Sequence, residues 1–192
     1  MRIHQLFKTT IRPAHDAARV MVAVIAGPNG PVVAAAGAPP RWRALTPLAL
    51  WSTLAVRDAS HDEILDGVAA LLARQDVHAQ QLILLAEGKA ARAALELVLQ
   101  GALDCAAILG IAVSCAALPF RIVPIATAVR LIVDCEDAPG DLIRELRAAD
   151  IDSRIIRLNP VASYDARIVA SAAETFVLEL VANASRQVRH GV

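Results

Sequence analysis

The sequence predicts an α/β fold: a doubly wound, mostly parallel sheet with helices on both faces. Three observations carry that expectation. Apolar runs of strand length recur along the chain, most of them are continuous rather than alternating, and helical patterns lie between them. Continuous apolar runs suit strands covered on both faces, and alternating β and α units imply parallel pairing with crossover helices.

The expected strands are Val20–Ala26, Leu50–Val56, Leu82–Leu85, Ala106–Val113, Val129–Val133 and Arg154–Leu158. The first helical stripe is Ile64, Leu65, Val68, Leu71 and Leu72, and the second is Ala94, Leu95, Val98 and Leu99. Leu142, Ile143 and Leu146 form a third; Ile168, Val169, Ala172, Phe176 and Leu180 form the last. Each has the i, i+3/i+4 spacing of a helix buried along one side. Asp62 and Asp141 are the expected helix starts of two of them. Residues 28–47, "PNGPVVAAAGAPPRWRALTP", read as a long loop with a short helix. With 192 residues the chain is expected to form one domain, with 1–18 an N-terminal extension and 186–192 a tail.

Composition narrows the function classes. A hydrophobic content of 56% and a mean hydropathy of +0.50 fit buried parallel strands and small-residue helices. The uncharged run between Asp104 and Arg121 is too short to span a bilayer and contains Pro119, so no membrane span is expected. The basic start "MRIHQLFKTTIRPAH" has no continuous apolar stretch of a signal peptide. Zero formal net charge, no basic run and 3% aromatic residues argue against nucleic acid as a partner. Cys105, Cys115 and Cys135 are widely spaced, odd in number and set among apolar residues. They read as reduced, buried thiols of a cytoplasmic protein rather than as disulfides or a zinc site.

In a sheet of this kind ligands bind at the carboxyl ends of the strands. The polar residues there are Asn29, Asp58, His61, Glu87, Lys89, Ser114, Asp134, Glu136, Asp137, Asn159, Ser163, Tyr164 and Asp165. The stretch "LILLAEGKAARAAL" places a strand, a tight turn and a helix in immediate succession. Gly88-Lys89 is not the end of a phosphate loop, because that pattern needs glycine at Ile83 and a hydroxyl at Ala90. No G-x-G-x-x-G occurs either, so there is no dinucleotide fingerprint.

The same stretch fits a strand–G-x-S-x-G–helix unit, and further landmarks appear in order. These are "CAAILGIAVSCAALP", "VRLIVDCEDAP", "LIRELRAADIDSRIIRLNP" and a closing helix over 166–184, preceded by "VMVAVIAGPNG" and "TLAVRDA". From about residue 20 to 185 the chain resembles the compact carboxylesterase/phospholipase branch of the α/β-hydrolases, which includes the acyl-protein thioesterases. The resemblance implies a reduced α/β-hydrolase-like fold with no cap domain.

Residue by residue, it also implies a lost catalytic triad. The motif frame falls on Ala86-Glu87-Gly88-Lys89-Ala90, so Gly88 occupies the nucleophile's position. The acid falls at Ala138, or at Asp137 if the loop is one residue shorter, and the histidine falls at Tyr164. Tyrosine titrates near pKa 10 and cannot replace a base that works at neutral pH. Of the two backbone donors of an oxyanion hole, Lys89 can supply one, whereas the other position is Pro28, which has no N–H.

The preferred expectation is therefore a catalytically inactive α/β-hydrolase-like protein without metal or organic cofactor. It would bind a small acyl or carboxylate ligand, with Asn29, Glu87, Lys89, Ser114 and Tyr164 as binding residues, or contact a protein partner; a homodimer is the self-association this branch suggests. One alternative is an active carboxylic-ester hydrolase whose nucleophile is displaced to Ser114 or Cys115. Another is a structural or oligomerisation protein with a closed pocket. Trp42, beside "PPRW", is expected either to cover the core or to line a pocket.

Overall fold

Six strands pair in the order β2-β1-β3-β4-β5-β6, and all five pairings are parallel. They are β1 (Met21–Ala26), β2 (Leu50–Ala55), β3 (Leu82–Glu87), β4 (Ala107–Ile111), β5 (Ala128–Asp134) and β6 (Ser153–Leu158). The helices are α1 (Ala38–Leu45), α2 (His61–Gln75), α3 (Gly88–Leu99), α4 (Asp141–Ala148) and α5 (Ala166–His190). The computed structural model describes residues 19–27, 37–134, 141–159 and 165–190.

The continuous apolar runs are explained by burial on both sides. In β3, Leu82, Leu84 and Ala86 enter one core, while Ile83 and Leu85, on the opposite pleat, enter the other. The first core lies under α2, α3 and α4; the second lies under α1 and α5. Helix α5 covers this second core with Val169, Ala173, Phe176, Val177, Leu180 and Ala184. By length and composition its Ala166–Gln187 stretch could cross a membrane, with mean hydropathy 1.3. Here its apolar stripe is instead spent on the sheet.

Several boundaries move for identifiable reasons. Helix α2 begins at His61 rather than at Asp62, because Ser60 is its N-cap and its hydroxyl accepts from the Glu63 N–H at 3.3 Å. Strand β4 ends at Ile111 instead of Val113, since Ala112 turns into the left-handed region with φ 53. Strand β3 runs on through Ala86 and Glu87 to the first residue of α3. The short helix expected within 28–47 is α1, entered through left-handed Gly37 and with proline in its first turn. The closing helix continues beyond residue 184 to His190, through most of the segment expected to be a tail.

The interior also holds a buried cation. Arg130, on β5, is 1% exposed and donates to Glu179 at 2.8 Å and to Asp152 at 3.2 Å. Burial works against its charge, but the hydrogen bonds of Glu179 and then Asp152 hold its pKa above the ordinary value. Cys105 and Cys115 are both buried. Burial pushes the Cys105 thiol up to about 12, so it stays neutral and packs as a small apolar group.

Candidate functional site

Strand order places the chain's switch point between β1 and β3: from β1 the sheet grows to β2 on one side and to β3 on the other. The crevice at the carboxyl ends of strands flanking such a point is where open α/β sheets bind ligands. The register is informative there. Ile25 pairs with Ala86, and Glu87 pairs with Ile111. The residues that leave the sheet abreast at this edge are therefore Gly27, Gly88 and Ala112.

Gly88 makes the elbow. It has φ +57, comes directly after β3 and opens α3. A residue with a side chain would be strained in that backbone conformation, whereas glycine adopts it freely. A Cβ built there meets none of the described residues within 4 Å. The two flanking motif positions are packed. Ala86 is 0% and Ala90 4% exposed, and Ala91 behind them lies 3.6 Å from a Cβ built on Gly110 of β4. Small residues are required where α3 lies this close to the sheet. Glu87 is half-buried at the end of β3, and Lys89 is exposed on the first turn of α3.

The next strand end is held by a cluster that no sequence pattern announces. Arg92 of α3 donates Nη1 to the carbonyls of Ser114 (3.0 Å) and Ala116 (2.8 Å), and Nη2 to that of Ala117 (3.0 Å). Its Nε donates to Glu96 Oε1 at 2.7 Å, and Glu96 Oε2 lies 3.2 Å from His61 Nε2. From the other side, the Leu142 N–H donates to the Cys115 carbonyl at 3.3 Å, and Glu145 accepts from the Leu118 N–H at 3.3 Å. The 114–118 segment is thus fastened to α3 and α4. The Arg92–Glu96 pair at i, i+4 on α3 is the one local hint of this clamp.

Among the expected site residues, Glu87, Gly88, Lys89 and Ser114 stand on the elbow and on the adjoining strand end. The Ser114 hydroxyl is exposed and accepts from the Ala116 N–H at 3.4 Å. The Cys115 thiol points into the protein, with Sγ 3.8 Å from the Val113 carbonyl. His61, expected in an N-terminal turn, is the first residue of α2 and pairs with Glu96. Pro28, Asn29, Glu136, Asp137, Ala138, Ser163 and Tyr164 lie outside the described residues. Asp165, next to Tyr164, precedes α5 and accepts from the Arg167 N–H at 2.8 Å. Among the described residues no group of three or more His, Cys, Asp or Glu side chains converges as a metal site would.

Trp42 meets both expectations made for it. It is 1% exposed, lies 6.4 Å from Trp51 between ring centroids and also walls a cavity between α1 and α5. Trp51 donates its indole N–H to Thr46, whose hydroxyl donates to the Trp42 carbonyl.

No family model matches the sequence, and no curated protein matches it significantly. Solved structures do match the fold. Esterase PE8 superposes with a TM-score of 0.63 at 17% identity, over 85% of this chain and 93% of that one. The fluorophosphonate-binding serine hydrolase FphF of Staphylococcus aureus gives 0.61 at 8% identity, over 91% and 88%. YahD, solved with malic acid, gives 0.60 at 13% identity, over 84% and 93%. With the all-parallel sheet, the glycine elbow after β3 and the small residues beneath it, these likenesses give the chain the α/β-hydrolase fold.

Proposed function

We propose that this chain is a non-catalytic member of that fold, a pseudo-esterase that uses the crevice at the carboxyl edge to bind a small acyl or carboxylate ligand. The observation that carries the reading is Gly88 at φ +57 on the first position of α3. A nucleophile elbow holds its serine in this strained backbone so that the hydroxyl is presented to substrate. Here the geometry is kept, the strain is removed and the side chain that would be acylated is missing. The turn still offers what a carboxylate can use: the first backbone N–H groups of α3, and the exposed cation of Lys89 beside them. YahD, the neighbour solved with malic acid, makes a small carboxylate a reasonable first ligand to try. The protein works without metal or organic cofactor in the cytoplasm, in keeping with its buried thiols.

The test has two arms. Turnover of p-nitrophenyl butyrate and labelling by a fluorophosphonate probe are expected to stay at background for the natural chain. Turnover abolished by Ser114→Ala or Cys115→Ala would overturn the pseudo-esterase reading in favour of a displaced nucleophile. In the second arm, malate or a short acyl carboxylate is expected to raise Tm saturably and to shift the Gly88 and Lys89 amide resonances. A flat response across such compounds would instead point to a closed crevice and a structural role.

A further inference from the structure

A second cavity lies on the opposite face of the sheet from the elbow helix. Helices α1 and α5 each present one stripe to it: Ala38, Arg41 and Trp42 from α1, and Arg167, Ala170, Ser171 and Glu174 from α5. The spacings are i, i+3, i+4 and i, i+3, i+4, i+7, so the cavity is a furrow between two helices rather than a gap at a loop. It is a half-open groove of about 270 Å³, room for a small metabolite.

Its polar groups are unevenly satisfied. Arg41 is committed to Glu174 through two contacts, Nη2 to Oε1 at 3.0 Å and Nε to Oε2 at 2.8 Å. Those two charges cancel. Arg167 stands two turns of α5 before Glu174, and its guanidinium has no partner among the described residues. Trp42 contributes an indole Nε1 that is buried and unbonded, alone in this among the buried side-chain polar atoms of the described residues. Buried donors are nearly always paired, so an orphan on a residue that walls a cavity calls for an acceptor that the described residues do not provide. The neighbouring tryptophan shows the contrast, since its indole N–H is satisfied by Thr46.

From the cation and the donor left without partners among the described residues, and from the apolar surface of Ala38, Ala170 and the indole, we infer that the α1–α5 furrow binds a small organic monocarboxylate. The carboxylate pairs with Arg167, one of its oxygens accepts from the Trp42 indole once the ring tilts to admit it, and the ligand's hydrocarbon body lies between the two alanines. A neutral amide of the same shape lacks the charge for Arg167, and an inorganic anion lacks the body. This site is separate from the carboxyl-edge crevice and stands whether or not that crevice binds anything.

Sodium butyrate, butyramide and sodium chloride at matched ionic strength, monitored by ¹⁵N–¹H resonances of the full chain, test it. Trp51→Phe leaves a single indole signal to assign. The expected result is a saturable downfield shift of the Trp42 indole proton with butyrate alone. Arg167→Gln, at an exposed position and with an unchanged Tm, is expected to weaken that binding about tenfold, as loss of one charged hydrogen-bond partner does. Arg167→Lys should restore part of it. No saturable shift, equal shifts with butyramide, or an affinity indifferent to Arg167→Gln would each overturn the proposal. Shifts confined to the Gly88 and Lys89 amides, with Trp42 silent, would also overturn it while leaving the reading of the elbow intact.

Discussion

Gly88 and Ala112 leave neighbouring strands side by side, in nearly the same backbone conformation (φ +57 and +53), yet only one of them is a glycine. At β3 the residue type relieves the turn; at β4 an alanine bears it, at a cost of about 1–2 kcal/mol. The two turns differ in the chain on their C-terminal side. Gly88 leads into the start of α3, where a Cβ would meet none of the described residues within 4 Å. Ala112 leads into a segment fastened by Arg92 through three carbonyls and by α4 from the other side. A strained residue persists where its surroundings over-determine it. The Ala112 turn has such surroundings, whereas at the elbow the residue type itself relieves the conformation.

The largest expected effect comes from removing what enforces the Ala112 turn. Arg92→Ala should lower unfolding free energy by about 2–3 kcal/mol in denaturant titrations, because three carbonyls and Glu96 lose a charged donor together. Arg92→Lys should recover little, since an ammonium cannot span the same carbonyls as a planar guanidinium. Gly88→Ala comes next, with a loss of about 1–2 kcal/mol from backbone strain alone, as there is room for the methyl group. A loss well above that would mean the elbow is packed more tightly than its open surroundings suggest. Ala112→Gly should move the other way by less than about 1 kcal/mol, strain relief being partly offset by the entropy of a freer unfolded chain.

The smallest effect concerns a third left-handed residue at the same edge, Ala59 (φ +51), in the turn after β2. Glu63 accepts the backbone N–H groups of Arg57 and Asp58, and more weakly that of Ala59, which lowers its pKa below the ordinary carboxylate value. A carboxylate with a depressed folded pKa contributes stability that is present above its unfolded pKa and lost as pH falls through the folded one. Melting curves taken from about pH 6 down to about pH 3 should therefore fall less steeply for Glu63→Gln than for the natural chain.

The sequence made the architecture legible because each element writes its own pattern. Continuous runs such as Leu82–Leu85 mark strands buried on both sides, and the stripe from Ile64 to Leu72 marks a one-sided helix. The elbow was equally legible, since strand, turn and helix are contiguous around Gly88. The clamp was not, because Arg92 reaches carbonyls 22 to 25 residues away and Glu96 meets His61 across 35. Arg41 and Glu174, which close one part of the furrow, lie 133 residues apart. Single long-range pairings of this kind leave no period to read. The end of β4 is hidden for a related reason: Ala112 carries no turn signature, and its surroundings hold it left-handed.

Helix α5 has a consequence for the order of folding. It comes after all six strands in the chain, yet it supplies most of the cover for one whole face of the sheet, including Ile83 and Leu85 of β3 and Leu109 and Ile111 of β4. Until that helix docks, a growing chain holds a broad apolar surface open to whatever it meets, with α1 the one other described helix to shield it. The residues that close that surface lie between Val169 and Ala184.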